Sequence, residues 1–285
     1  MQGKRPYQED RLIIKNNLTD ANIAESETQN FSRYPMDLLA IFDGHGGPTI
    51  SDALSKSLPA YFYKQNMISQ NEPKPHPKYN EYIVSSFDYI QNELNAKHNK
   101  SSLQGSTVCM ALIYMYKNKK YITTIWSGDS RAIGCNKNFI ADSLTLDHKP
   151  DSPLELARIK KLGGTVSYEA NDVPRINGVL AVSRSMGDFD QKQYVEHKPD
   201  VLHYACNNYK FIIVASDGLY DSMNNQQIID FVLNFITENP SSITSSRHNK
   251  NELNIAAKLA NKAIELGSDD NVSVIIYFID NDNYI

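Results

Sequence analysis

Val108-Cys109-Met110-Ala111-Leu112-Ile113-Tyr114-Met115-Tyr116, then Lys117-Asn118-Lys119-Lys120, then Tyr121-Ile122-Thr123-Thr124-Ile125-Trp126: two apolar runs rich in β-branched and aromatic residues flank a short polar turn. Too little chain separates them for a crossover helix, so they predict an antiparallel pair. Similar runs stand at Leu12 to Ile14, Leu38 to Phe42, Phe211 to Ala215 and Val272 to Ile279. The strands after residue 105 are joined mostly by short turns, which argues against a doubly wound parallel sheet. Three segments instead carry a one-sided helical period. They are 82–94 (Ile83, Phe87, Ile90, Leu94), 226–237 (Ile228, Ile229, Val232, Phe235, Ile236) and 252–266 (Ala256, Leu259, Ala260, Ala263, Ile264). Each should lay its apolar stripe on a sheet. A fourth helix begins at Ser152-Pro153-Leu154-Glu155, where Ser152 and Glu155 form a capping-box pattern and Gly163-Gly164 supply the stop. The reading is sheets flanked by helices. Asn16 to Arg33, Lys64 to Tyr79 and Asn239 to Asn251 are polar and aperiodic, and read as loops or insertions within one domain.

The 285 residues carry a net charge of -4 and are 41% hydrophobic, enough for a sizeable core. The acidic balance argues against a broad nucleic-acid surface. Three cysteines make no disulfide framework, and Cys109, set in an apolar run, reads as a small buried hydrophobe. No apolar stretch approaches a membrane span, and the N-terminus has neither an apolar signal core nor a glycine at position 2. The expectation is a soluble protein of the cytoplasm or nucleus, without membrane attachment.

The chemistry lies in where the acidic residues fall. Asp43 ends Leu38-Leu39-Ala40-Ile41-Phe42 and leads into Gly44-His45-Gly46-Gly47. Asp217 ends Phe211 to Ser216 and precedes Gly218; Asp270 stands just before Val272-Ser273-Val274. Asp129 lies in the Gly128-Asp129-Ser130 turn, and Glu9-Asp10 precede Leu12-Ile13-Ile14. Strand ends place carboxylates at a sheet rim. If the rims meet, each close pair of charges repels by about 1–4 kcal/mol, and a divalent cation removes that cost. Oxygen donors favour Mg²⁺ or Mn²⁺ over Zn²⁺. Singly, each Asp-Gly is more simply a turn; the repetition of the placement is what carries weight. The glycines after Asp43 let backbone approach an ion, so the Gly44 carbonyl is a candidate ligand. His45 beside them is a candidate acid, and Arg5 a candidate anion clamp.

Other chemistries fail on inspection. The chain has no GxxxxGK[ST] loop, HExxH, paired CxxC or GxSxG elbow. No cysteine has an arginine six residues on, and no DxDx[TV] nucleophile motif occurs. A phosphatase built on these residues would use a metal-activated water as its nucleophile.

Taken in order, the motifs resemble the type 2C metal-dependent serine/threonine protein phosphatases. They are Gln2-Gly3-Lys4-Arg5 with Glu9-Asp10, Phe42 to Gly47, Gly105-Ser106-Thr107, Gly128-Asp129-Ser130-Arg131 and Asp147-His148-Lys149-Pro150. Arg158 with Gly163-Gly164, Arg175 to Arg184, Gly187-Asp188, Ser216 to Asp221 and Asp269 to Val274 follow. The resemblance implies an α+β fold: a central sandwich of two antiparallel β-sheets flanked by α-helices, four layers in the order αββα, with a metal cleft at one end. It implies one catalytic domain over 1–285, with a flap at about 151–174. Asp43 would bridge two metals, the Gly44 carbonyl on one of them. Asp217 and Asp270 would complete the other site, and Glu9 and Asp10 would act partly through water. Asp129 with Asp217 and Asp221 would form a weaker third site. Arg5 would bind the substrate phosphate, and His45 would protonate the leaving oxygen. The implied partners are phosphoproteins, and the implied state is a monomer. Two departures stand out. The first motif begins at Met1, so the strand that ordinarily precedes it is missing and a bare sheet edge is expected. Trp126 also occupies a position where the family often carries Asn. A metal-binding pseudophosphatase acting as a scaffold is the competing expectation. A two-metal nuclease or sugar-phosphate hydrolase would want a basic groove or sugar pocket that the sequence does not suggest.

Overall fold

The computed structural model describes residues 1–16, 36–64, 74–98, 103–170, 172–239 and 254–279. Its strands are β1 (Arg11–Lys15), β2 (Met36–Phe42), β3 (Gly44–His45), β4 (Gly105–Ser106), β5 (Val108–Tyr116), β6 (Lys119–Ser127) and β7 (Arg131–Asn136). They continue with β8 (Ala141–Ser143), β9 (Val166–Ser167), β10 (Arg175–Ile176), β11 (Met186–Gly187), β12 (Asp200–Ala205), β13 (Tyr209–Ala215) and β14 (Val274–Phe278). The helices are α1 (Thr49–Lys64), α2 (Pro77–Lys97), α3 (Pro153–Lys161), α4 (Asp217–Tyr220), α5 (Asn225–Glu238) and α6 (Ile255–Glu265).

The hairpin forms as expected. β5 and β6 pair antiparallel from Val108 opposite Ser127 to Tyr116 opposite Lys119. Lys117 and Asn118 turn the chain with φ of 47° and 60°, the left-handed pair that matches strand twist in a two-residue hairpin. Outward from it grows a five-stranded antiparallel sheet in the order β1-β2-β5-β6-β12. A second antiparallel sheet runs β14-β13-β7-β8.

Strand alternation explains why the runs are apolar throughout. In β2, Leu38, Ala40 and Phe42 join a core with Ile50, Leu54 and Leu58 of α1 and Ile83, Phe87 and Ile90 of α2. Leu39 and Ile41 point the other way and meet Ile212 and Val214 of β13 between the sheets. In β13, Phe211, Ile213 and Ala215 face Ile228 and Val232 of α5 and Leu259 and Ala263 of α6. Both faces of each central strand are buried, so period two vanishes from the hydropathy. The layers are α1/α2, sheet, sheet, α5/α6, the expected αββα order. Each fully buried large side chain contributes about 1.5–3 kcal/mol to holding them together.

Several details differ from expectation. Helix α1 and strand β12 lie outside the runs read from the sequence, and α2 begins at Pro77, inside a stretch expected to be loop. The expected loops at 17–33, 65–73 and 240–251 lie outside the described residues. Ser152 makes no side-chain cap to α3, so the capping box does not form. Glu155 instead turns inward to Arg158 and Arg184, whose full charges outbid a backbone N–H. Gly163, at φ 84°, does end α3, and Gly164 N–H donates back to the Ile159 carbonyl. Beyond it, Ile159, Ile176 and Val195 make a small separate core. The N-terminal segment meets the far end of the chain: the Met1 amino group donates to the Val272 carbonyl (2.6 Å), and Val272 N–H donates to the Met1 carbonyl (2.8 Å). β14 is nevertheless an end strand of its sheet. Cys109, Cys135 and Cys206 are buried free thiols.

Candidate metal and phosphate centre

The carboxylates gather at one rim because three strand ends and the N-terminal segment converge there. Asp43 leaves β2 and is held at both ends by Thr107. Its carbonyl accepts from Thr107 N–H (2.9 Å), and its N–H donates to Thr107 Oγ1 (3.3 Å). Thr107 Oγ1 also meets Ser130 Oγ at 2.7 Å, tying the Asp129 turn to Asp43. Asp217 opens α4 directly after β13. Asn271 clamps the N-terminal segment: its Oδ1 accepts from Glu9 N–H (2.7 Å), and its Nδ2 donates to the Gln2 and Tyr7 carbonyls (2.8 and 3.1 Å). Ser51 Oγ holds the Glu9 carbonyl at 2.5 Å. A Cβ on Gly44 would sit 2.6 Å from that same carbonyl, so the glycine is required for close approach.

Charge crowding is visible in the acid strengths. Asp43, half-buried, is pushed well above the carboxylate range by burial and by the charges of Asp10, Asp217, Asp129 and Asp270. Burial together with Asp129, Asp221 and Asp270 lifts Asp217 to about 8. Asp10 and Asp221 are also raised, burial being the largest cause in each. One oxygen of Asp10 accepts from Ser216 Oγ (2.9 Å), while Oδ1 is buried with no hydrogen-bond partner.

Two cationic side chains already answer part of this negative field. Arg5 contacts Asp270 at 2.7 Å, and Lys149 contacts Asp129. Among the described residues no three His, Cys, Asp or Glu groups make a ready metal cage. The donor set nevertheless fits hard cations: oxygen ligands only, an orphaned buried carboxylate oxygen, and repulsion that positive charge relieves.

His45 reaches the same rim on a three-stranded ribbon, β11-β4-β3. Its Nε2 faces both oxygens of Asp188 at 2.9 and 2.8 Å. Ser185 Oγ donates to Asp188, and Gln91 of α2 brackets Gly187, accepting from its N–H and donating to its carbonyl (2.9 Å each). Burial pulls the His45 pKa down, but the Asp188 charge and hydrogen bond outweigh it and raise it overall. Asp188 is a site residue whose role the sequence reading left unassigned; its positive φ of 44° is invisible in a string of letters.

Behind the rim, Arg131 grips Asp147 with two bonds (2.9 and 2.7 Å), setting the Gly128–Arg131 and Asp147–Pro150 motifs side by side. Gly128 N–H donates to His148 Nδ1 (3.1 Å), and His148 N–H donates to the Gly128 carbonyl (3.0 Å). Trp126 stacks on the His148 ring, centroids 5.8 Å apart, and donates its indole N–H to the Leu146 carbonyl. The unusual Trp126 therefore supports the turn that carries Asp129. The sequence-predicted residues Asp43, Gly44, Glu9, Asp10, Asp129, Asp217, Asp221, Asp270, Arg5 and His45 all belong to this neighbourhood. Arg5 differs from expectation in resting on a carboxylate.

A rim of this kind, on a two-sheet sandwich cased in helices, has the oxygen donors that hard divalent cations prefer. The chain belongs to the protein phosphatase 2C family, whose model matches residues 1–272. A probable protein phosphatase 2C from rice (Oryza sativa subsp. japonica) is 32% identical over 260 residues, covering 91% of this chain and 73% of its own. The fold is shared with a C. elegans sex determining protein (TM-score 0.81, 24% identity, 98% of this chain and 63% of that one). It is shared also with a serine-threonine phosphatase 2C from Toxoplasma gondii (TM-score 0.74, 23% identity, 97% and 92%). The family is metal-dependent, using Mg²⁺ or Mn²⁺. No helix among the described residues is long and apolar enough to cross a membrane.

Proposed function

We propose that this chain hydrolyses phosphoserine and phosphothreonine in phosphoproteins, with a water as nucleophile and no covalent enzyme intermediate. The observation that carries it is the crowding of Asp43 against Asp10, Asp217, Asp129 and Asp270, with His45 following two residues later in the chain.

Asp43 and the Gly44 carbonyl, with Asp217, Asp270, Glu9 and Asp10, would hold two ions, and Asp129, Asp217 and Asp221 a weaker third. Bound there, the ions supply Lewis-acid activation of a water and neutralise phosphoryl oxygens. Arg5 supplies the planar guanidinium for the phosphate. Its pairing with Asp270 is exposed, and such pairs contribute only about 0–1 kcal/mol, so Arg5 leaves it readily. His45 gives the proton to the leaving serine or threonine oxygen. Asp188 holds Nε2 and so fixes the orientation of the ring. Asp188 also raises the pKa of the ring, which favours the protonated form that an acid requires.

The test is hydrolysis of a phosphothreonine peptide by the intact chain with Mn²⁺ and with excess chelator. Turnover that requires Mn²⁺ and disappears in Asp43→Asn is expected. A folded, Mn²⁺-loaded sample without turnover would overturn the proposal.

A further inference from the structure

The two cations at the rim are not equivalent. Arg5 and Asp270 are 58% and 30% exposed, whereas Lys149 and Asp129 are 33% and 3% exposed. Arg5 sits on a long side chain at the surface and exchanges partners cheaply. Lys149 does not. Its neighbour His148 is bonded both ways to Gly128, contacts Asp200 at 3.1 Å and is stacked on Trp126. On its other side, Ser152 N–H donates to the Lys149 carbonyl (3.1 Å) at the start of α3. His148, the residue before Lys149, is thus fastened to the very turn that carries Asp129, and the backbone after Lys149 closes in a turn at Ser152. The ammonium reaches Asp129 from a backbone held in this way, and it also lies in the field of Asp217. These are two of the carboxylates that would make the outer cation site.

We propose that Lys149 is a built-in cation that occupies the outer carboxylate site at Asp129 and competes there with a divalent ion. This rests on the reading of the rim as a metal centre. An ion entering between Asp129 and Asp217 must first displace a half-buried ammonium, whereas the cation met by an ion at Asp43 and Asp270 is the exposed Arg5, which moves away cheaply. The outer site is therefore weak because of a side chain, not for lack of donors. Its occupancy becomes sensitive to anything that moves residues 149–152, including the position of α3.

The experiment is Mn²⁺ binding to the intact chain, counted by the electron paramagnetic resonance signal of free Mn²⁺. Lys149→Met should tighten the weakest class of sites by about tenfold to a hundredfold, the range expected for removing one adjacent charge. Lys149→Arg should leave that class weak, and adding Asp129→Asn to Lys149→Met should abolish the gain. No change in Lys149→Met with native circular dichroism, or a gain that survives Asp129→Asn, would overturn the proposal. Lys149→Met leaves Asp129 without its cation and can misfold, so a second measurement uses the unaltered chain. Acylation of Lys149 by an amine-reactive ester, followed by mass spectrometry, should rise as Mn²⁺ fills the weakest class, because competition is reciprocal. Labelling that ignores Mn²⁺ would equally overturn it. A chain that binds no Mn²⁺ at all fails the metal-centre reading itself, a result distinct from failure of the Lys149 proposal.

Discussion

Replacing Asp217 by Asn should stabilise the metal-free protein while destroying its response to metal. The magnitude follows from the acid strength. Asp217 titrates at about 8 in the fold against an ordinary 3.8, because burial and neighbouring carboxylates disfavour its charge. A raised folded pKa means the native state holds the proton more tightly, so its contribution is fully favourable below about pH 4 and is lost as pH rises toward 8. At pH 7 the gap above 3.8 corresponds to an upper limit of about 4 kcal/mol of lost stability. Water at its exposed flank reduces this to about 2–3 kcal/mol. Asparagine never ionises and escapes the penalty. In chelator at pH 7, Asp217→Asn should therefore melt higher by about 4–6 °C, at about 2 °C per kcal/mol for a domain of this size. The advantage should shrink to about 1 kcal/mol or less near pH 4.5. Adding Mn²⁺ should raise the melting temperature of the unaltered protein well above that of the variant. The assay is thermal denaturation followed by circular dichroism, in a pH series with and without Mn²⁺. A variant no more stable than its parent in chelator at pH 7, or an advantage that does not vary with pH, would refute the reasoning.

Three other substitutions probe separate parts of the molecule. A Cβ at Gly105 would lie 2.1 Å from Asp188 Oδ2 and 2.4 Å from His45 Nε2, so Gly105→Ala should push that pair apart. Turnover of phosphothreonine peptide should fall by about 100-fold or more while the melting temperature changes little, since the obstructing atoms are side-chain ends; unchanged kinetics would argue against an acid at His45. His45→Gln should slow phosphothreonine peptides by about 10²–10⁴-fold but aryl phosphates much less, because a phenolate departs without a proton; equal losses on both substrates would remove His45 from the proton-transfer step. Glu155, nearly buried between Arg158 and Arg184, is a stability residue. Burial raises its pKa, but the two guanidiniums outweigh that and lower it, so its contribution is present above about pH 4.5 and lost on acidification through the folded value. Glu155→Gln should cost about 3–5 kcal/mol in urea denaturation at pH 7 and flatten the acid side of the stability profile.

Much of the architecture was legible because the central strands are apolar on both faces and end in acidic turns. What escaped did so for identifiable reasons. Helix α1 sets the stripe Ile50, Leu54 and Leu58, spaced by four, into the core amid serines and with Pro59 inside it, so helix period and helix breaker contradict each other. Strand β12 is an end strand with half-buried His203 and Tyr204, too polar to stand out. The capping box at Ser152 failed because Glu155 answers to Arg184, distant in sequence and adjacent in space. The strand-end acids were readable as a group, since each follows or precedes an apolar run. The partners of that group were not. Asp188, Asn271 and Lys149 act through contacts spanning 143, 262 and 20 positions of chain, and no local pattern announces them.

The pairing of Met1 with Val272, and of Arg5 with Asp270 across 265 positions, has a consequence for how this protein comes into being. During synthesis residues 1–5 leave the ribosome long before residues 270–272, with which they pair, have been made. The β5–β6 hairpin and the sheet around it can close early, since their contacts are near in sequence, but the centre stays open until residue 272 has emerged. Contacts this distant are slow to form. A chain interrupted before residue 270 thus lacks the contacts that close the centre, however much of the sheet around the hairpin has folded.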